Sequence, residues 1–189
     1  DIYRNHVEID FSVNVNPLGI PEAVEAALYE AVEKSSRYPD ISAEKLKKAV
    51  SGMLTVLKEY LLFGNGASEL FMAIIHGIKP KKMVIPVPSF YGYEYVAEVA
   101  DGEIIYYETK EENDFCLRND FFSVLTDGVD VLFLANPNNP TGNLMSKDAL
   151  RNVLFHCMDK GIYVVLDEGF IEFCGKECSM IQEINNFSN

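Results

Sequence analysis

Two apolar runs, each stopping abruptly at residues that can do chemistry, restrict the fold more than any other feature of the chain. Val129-Asp130-Val131-Leu132-Phe133-Leu134-Ala135 stops at Asn136-Pro137-Asn138-Asn139-Pro140-Thr141-Gly142. Ile162-Tyr163-Val164-Val165-Leu166 stops at Asp167-Glu168. A continuous apolar, β-branched run reads as a strand buried on both faces, as in a parallel sheet covered by helices. In open sheets of that type, ligands bind beyond the carboxyl ends of the strands. Two neighbouring strands would then offer an Asn and an Asp to one crevice. The alternative is that Asn-Pro and Pro-Thr-Gly are turn punctuation alone.

The same alternation recurs upstream. Met83-Val84-Ile85-Pro86-Val87-Pro88 reads as a strand, followed by Ser89-Phe90-Tyr91-Gly92-Tyr93 and a helix expected over 94–100. Glu103-Ile104-Ile105-Tyr106-Tyr107 reads as the next strand, 108–114 as a charged loop, and Phe121, Phe122 and Leu125 suggest a short helix. Tyr60-Leu61-Leu62-Phe63 is a further strand candidate, leading into Gly64-Asn65-Gly66-Ala67-Ser68-Glu69 and an apolar helix behind it. A Gly-rich turn feeding a helix start presents unpaired backbone N–H groups and the positive end of the helix dipole, which suits an anion. Most Gly-x-Gly turns nevertheless bind nothing. Aromatic residues just past a strand end, such as Phe90, can stack on a flat ligand ring or pack under a loop. A helix is expected from about Ser146 to Lys160, with Leu150, Val153, Leu154 and Met158 inward. The pattern predicts an α/β three-layer sandwich with a mainly parallel sheet.

Residues 1–20 read as an N-terminal arm, with Val7 to Val13 alternating like a short strand and Asn16-Pro17 fixing a bend. Pro21 opens a helix whose apolar face is Val24, Ala27, Leu28, Ala31 and Val32. Ser42 is the expected cap of the next helix, with Leu46, Val50, Met53, Leu54 and Leu57 on its apolar face. Residues 21–189 are read as one partial domain.

A net charge of −13 over 189 residues argues against a nucleic-acid footprint or an anionic membrane surface. No apolar run approaches the roughly 20 residues of a membrane helix, and no signal peptide is visible. The four cysteines stand at neither zinc nor disulfide-scaffold spacing and read as reduced thiols of a cytoplasmic protein. No metal site is expected. None of the three histidines has a Ser or Cys signature beside it.

Taken together, these parts resemble the fold-type I pyridoxal-phosphate enzymes of aminotransferase class I/II. The resemblance rests on Asn136 to Gly142 with Asp167 standing 28 positions after Asn139. Asn14-x-Asn16-Pro17-x-Gly19, Arg37-Tyr38-Pro39-Asp40, Gly64 to Glu69 and Pro88-Ser89-Phe90 agree, in the family's order. Asp10-Phe11-Ser12 looks most like threonine-phosphate decarboxylases, with histidinol-phosphate aminotransferases as close relatives. The resemblance implies pyridoxal 5′-phosphate as cofactor, an amino-acid-type substrate and a homodimer. It implies Asp167 at the pyridine nitrogen, Asn139 at the ring oxygen, Phe90 on the ring face, and the Ala67 and Ser68 N–H groups on the phosphate. Tyr38 would reach the phosphate of the neighbouring subunit, and Asn16 would approach the substrate.

Two positions depart from the family pattern. Phe170 stands where the family often has a tyrosine that shares the ring-oxygen contact. The Schiff-base lysine of the family is missing as well, since no lysine follows Lys176. The chain is therefore expected to represent the N-terminal half of an enzyme, to lack some sequence before Asp1, and to be inactive alone. The rival reading is a non-catalytic module that keeps the fold for binding or dimerisation. A nucleotide-binding domain is disfavoured, because Gly64 to Ser68 carries neither the dinucleotide fingerprint nor a P-loop lysine.

Overall fold

A strand made only of apolar residues has to be covered on both faces, and Val131–Ala135 is: all five residues are buried. In the computed structural model, which describes residues 6–9 and 13–189, successive side chains of this strand serve two different cores. Val131, Phe133 and Ala135 pack on one side of the sheet, Leu132 and Leu134 on the other.

The described elements are, in order, α1 (Glu22–Lys34), α2 (Glu44–Leu54), a 3-10 turn at Lys58–Tyr60, α3 (Ala67–Ile78), β1 (Lys82–Val87), α4 (Gly92–Val99), β2 (Glu103–Glu108), β3 (Val131–Ala135), α5 (Lys147–Lys160) and β4 (Tyr163–Asp167). Further 3-10 turns include Asn119–Ser123, Ile171–Phe173 and Ile181–Asn186. Two compact units make up the chain, Asp1–Glu44 and Lys45–Asn189.

In the second unit the sheet has the order β2-β1-β3-β4, and every pair is parallel. One core joins α3 and α4 to the sheet through Phe71, Ile75, Tyr93, Val96 and Ala97. The other joins α5 and the Asn119–Ser123 turn through Phe121, Leu150, Val153, Leu154 and Cys157. The three layers and the parallel sheet are as the sequence predicts. The crossover from β1 to β2 runs through α4 and that from β3 to β4 through α5, on opposite faces. Strand order therefore reverses between β1 and β3, and a doubly wound sheet opens a crevice at the carboxyl ends of the strands there.

Local signals account for the ends of α5. Ser146 caps it, its hydroxyl accepting from the Ala149 N–H at 3.2 Å, and Gly161 ends it at φ 70°. The fully buried residue on its last turn is Cys157, while Met158 is half-buried.

Several expectations change. Residues 61–63 form no strand; Lys58–Tyr60 is a 3-10 turn and Leu62 is 68% exposed. Leu61 has extended dihedrals, but no neighbouring strand among the described residues supplies the ladder that would make it one. The helix expected over 94–100 starts earlier, at Gly92. Ser42 does not cap α2. Asp40 takes that role: its carboxylate accepts from the Ser42 N–H (3.0 Å), the Ser42 hydroxyl (2.6 Å) and the Glu44 N–H (3.0 Å). An ionised carboxylate is the stronger acceptor at a helix start, and the Ser42 and Glu44 donors hold its pKa below the ordinary value. The apolar face of α1 is present in sequence yet not buried: no residue of that helix is buried, and Leu28 and Val32 are exposed.

Candidate functional site

The crevice is built from three loops at strand ends and one helix start, all within the second unit. After β1 the chain passes Pro88, Ser89 and half-buried Phe90 and enters α4 at Gly92. The Phe90 ring lies against Gly92, where an added Cβ would come within 2.3 Å of Phe90 Cε1. Glycine at this position lets the ring fold back over the helix start.

One turn on, Tyr93 is 1% exposed. Its ring stacks on Phe133 at 5.2 Å and meets Phe71 (5.2 Å) and Phe90 (5.7 Å) edge-on. Its hydroxyl donates to Asp167 Oδ2 at 2.7 Å, and the Gly169 N–H donates to Asp167 Oδ1 at 2.9 Å. Burial, followed by the hydrogen bond and negative charge of Asp167, pushes the Tyr93 phenol well above its ordinary pKa. Tyr93 therefore stays a donor throughout the accessible pH range.

The β3 loop closes the other side. The Asn136 N–H donates to the Asp167 carbonyl at 2.8 Å, continuing the β3–β4 ladder by one rung. The Asn136 side chain is buried; its Oδ1 accepts from the Met145 N–H at 2.7 Å, and its Nδ2 has no partner among the described residues. Asn138 Nδ2 donates to the Pro88 carbonyl (3.0 Å) and to the Thr141 hydroxyl oxygen (2.8 Å), tying the β3 loop to the β1 loop. Asn139 follows it, half-buried, on the stapled turn. Gly142 closes that turn at φ 76°, its N–H reaching the Asn138 carbonyl at 2.7 Å.

The helix start belongs to α3. Gly66 stands at its N-cap with φ 77° and no side-chain cap. The Glu69 carboxylate reaches back to the Asn65 N–H, as in a capping box shifted by one residue. The N–H groups of Ala67 and Ser68 have no partner within the helix. Phe71, which touches Tyr93, lies about one helical turn along the same element.

The structure thus joins Phe90 and Asp167 through Tyr93, sets Asn139 on a loop bound to the Phe90 loop, and links the helix that Ala67 and Ser68 begin to the same aromatic cluster through Phe71. Asn16 and Tyr38 lie in the first unit. There the Asn16 side chain closes its own turn, accepting from the Leu18 N–H (3.0 Å) and donating to the Gly19 carbonyl (2.9 Å). Tyr38 is fully exposed. Asp10, Phe11 and Ser12 fall outside the described residues. Glu168, paired with Asp167 in sequence, turns away: its carboxylate accepts from the Ser179 hydroxyl (2.5 Å) and the Met180 N–H (2.8 Å). Tyr93 is the site residue that sequence reasoning passed over. Its only signal is an aromatic side chain three positions after Phe90, and nothing in the sequence names Asp167 as its acceptor.

As a donor set, the crevice offers an oriented carboxylate, an aromatic face and a helix N-terminus. These suit a flat heteroaromatic ligand with a protonated nitrogen at one end and an anionic group at the other. Pyridoxal 5′-phosphate is of that kind. Among the described residues no cluster of three His, Cys, Asp or Glu could hold a metal, and no helix is long and apolar enough to cross a membrane.

Residues 7–189 match the family model described as aminotransferase class I and II. The chain is 33% identical over 178 residues to threonine-phosphate decarboxylase of Salmonella typhimurium, covering 94% of this chain and 49% of that protein. Among solved structures it is similar to histidinol-phosphate aminotransferase from Clostridium acetobutylicum, with a TM-score of 0.82, 32% identity, and coverage of 95% of this chain and 53% of that one. Cystalysin from Treponema denticola, whose structure contains pyridoxal 5′-phosphate, shares the fold with a TM-score of 0.65 at 17% identity, over 78% of this chain and 40% of that one. The chain spans about half the length of the curated relatives it matches, as 49% coverage of the decarboxylase illustrates.

Proposed function

Because this chain belongs to the aminotransferase class I and II family, we propose that its sheet unit binds pyridoxal 5′-phosphate and serves an enzyme acting on an amino acid or amino-acid phosphate. The observation that carries the proposal is the Asp167 carboxylate, held at the carboxyl end of β4 by the Tyr93 hydroxyl and the Gly169 N–H. When bound, the cofactor supplies an electron-withdrawing ring that accepts the electron pair left at the substrate α-carbon. Asp167 keeps the ring nitrogen protonated, and Asn139 donates to the ring oxygen. Phe90 covers one ring face and shields it from water. The Ala67 and Ser68 N–H groups hold the phosphate at the positive end of α3. Asn16 contacts substrate, and Tyr38 reaches the phosphate of a second copy in a homodimer.

Of the two reactions open to such a site, decarboxylation of threonine phosphate is favoured. The support is Asp10-Phe11-Ser12 together with Phe170 in the sequence. Transamination of a histidinol-phosphate-like substrate is the competing outcome. An assay of the full-length protein with O-phosphothreonine, and separately with histidinol phosphate plus 2-oxoglutarate, decides between them. Carbon dioxide release from the first supports decarboxylation, and amino transfer from the second supports transamination. No turnover of either by cofactor-loaded protein overturns the proposed substrate class.

A further inference from the structure

The proposed cofactor site leaves open why the Tyr93 hydroxyl is buried against a carboxylate. Its ring is fixed by three aromatic neighbours, Phe133, Phe71 and Phe90. The position of its oxygen is therefore set by core packing and not by a mobile surface. With the Gly169 N–H on the other oxygen, both Asp167 oxygens carry one donor each. A carboxylate oxygen has room for a further donor, so the pair can orient Asp167 without using up its capacity to accept from a ligand.

We propose that Tyr93 is a positioning residue for the cofactor's ring nitrogen: its hydroxyl holds the Asp167 carboxylate in one rotamer, aimed beyond the end of β4. This rests on the reading of Asp167 as the ring-nitrogen partner. A pre-oriented side chain spares the ordering cost that binding would otherwise bear. The surroundings leave this task to Tyr93. Asn136, just past β3, and Phe71, from α3, are neutral. Glu168, the nearest acid in sequence, is bound to Ser179 and Met180. Tyr93 is the titratable side chain hydrogen-bonded to Asp167 among the described residues.

The test compares the parent chain, Tyr93→Phe and Asp167→Asn. The Asp167 χ1 rotamer populations are read in the cofactor-free chain from three-bond NMR couplings, and pyridoxal 5′-phosphate binding is measured by equilibrium dialysis. Tyr93→Phe keeps the stacked ring and removes only the donor. It is expected to spread Asp167 over more than one χ1 rotamer and to weaken cofactor binding about three- to ten-fold. Should Tyr93→Phe fold poorly, 3,5-difluorotyrosine at position 93 serves instead. It is a stronger donor and is expected to keep the single Asp167 rotamer and tighten cofactor binding. A single Asp167 rotamer retained in Tyr93→Phe overturns the inference, as does cofactor binding no tighter than the parent's where 3,5-difluorotyrosine stands in. So does a Tyr93→Phe chain that binds cofactor as tightly as the parent while Asp167→Asn binds less, and in that case the Asp167 reading survives. If the parent does not bind cofactor, or Asp167→Asn binds it equally well, the Asp167 reading itself falls and takes this inference with it.

Discussion

At the scale of single residues, the site depends on small steric allowances as much as on charged groups. Gly92 is the clearest case, since any Cβ there meets the Phe90 ring at 2.3 Å. Gly92→Ala is expected to push the ring off the helix start. That should lower the melting temperature and weaken cofactor binding together, by calorimetry and dialysis on the same preparation. Its Phe90 neighbour was legible from the sequence as an aromatic past a strand end, but the glycine requirement was not, because it arises from a ring folding back. Cysteine chemistry follows burial in the same way. Cys116 is exposed, whereas Cys157 is fully buried and burial pushes its thiol up to about 12. The raised value means that stability from keeping Cys157 neutral is fully present below the unfolded thiol's value of 9.0 and is lost as pH rises toward 12. Alkylation of the native chain at pH 8, followed by peptide mass spectrometry, should label Cys116 and spare Cys157. Equal labelling would contradict the burial.

At the scale of elements, apolar periodicity carried most of the fold. β3 was legible because a central parallel strand needs apolar residues on both faces, and Val131 to Ala135 meet that need. Residues 60–63 look similar in isolation but gained no strand partner, and a partner is a property of the sheet that no local pattern contains. The Asp40 cap escaped notice for a related reason: two candidate acceptors stood two positions apart, and only the geometry shows the carboxylate taking the helix N–H. The buried face of β3 also sets the cost of disturbing it. Phe133 touches both Phe71 and Tyr93, so Phe133→Ala should cost about 3–5 kcal/mol of unfolding free energy. It should also loosen the Tyr93 hydroxyl from Asp167. Ser146→Ala removes only a cap and should cost about 1 kcal/mol. Urea titrations that place the two variants at similar midpoints would refute this ranking.

At the scale of the whole molecule, the two units differ in what they bury. The buried apolar residues run from Phe71 to Met180, all within Lys45–Asn189. The end of α2 is fixed inside that same unit, since Gln182 Nε2 donates to the Leu54 carbonyl at 2.5 Å and the Tyr60 hydroxyl to Asn185 Oδ1 at 2.8 Å. The C-terminal segment is held in turn by Glu183, whose carboxylate receives Arg151 Nε at 2.8 Å and Nη2 at 2.6 Å. Arg151, and then Lys147, hold the Glu183 carboxyl below its ordinary range, against the effect of its own desolvation. Stability from that contact is present above the unfolded carboxyl value and is lost as pH falls through the lower folded one. A chain beginning at Lys45 should therefore keep a single cooperative melting transition, because the buried apolar residues among those described all lie in the part that remains. Acidification from pH 5 to pH 3 should weaken that transition, and Glu183→Gln should flatten its pH dependence over the same interval. Loss of cooperative melting in the shortened chain would mean that the first unit supports the sheet.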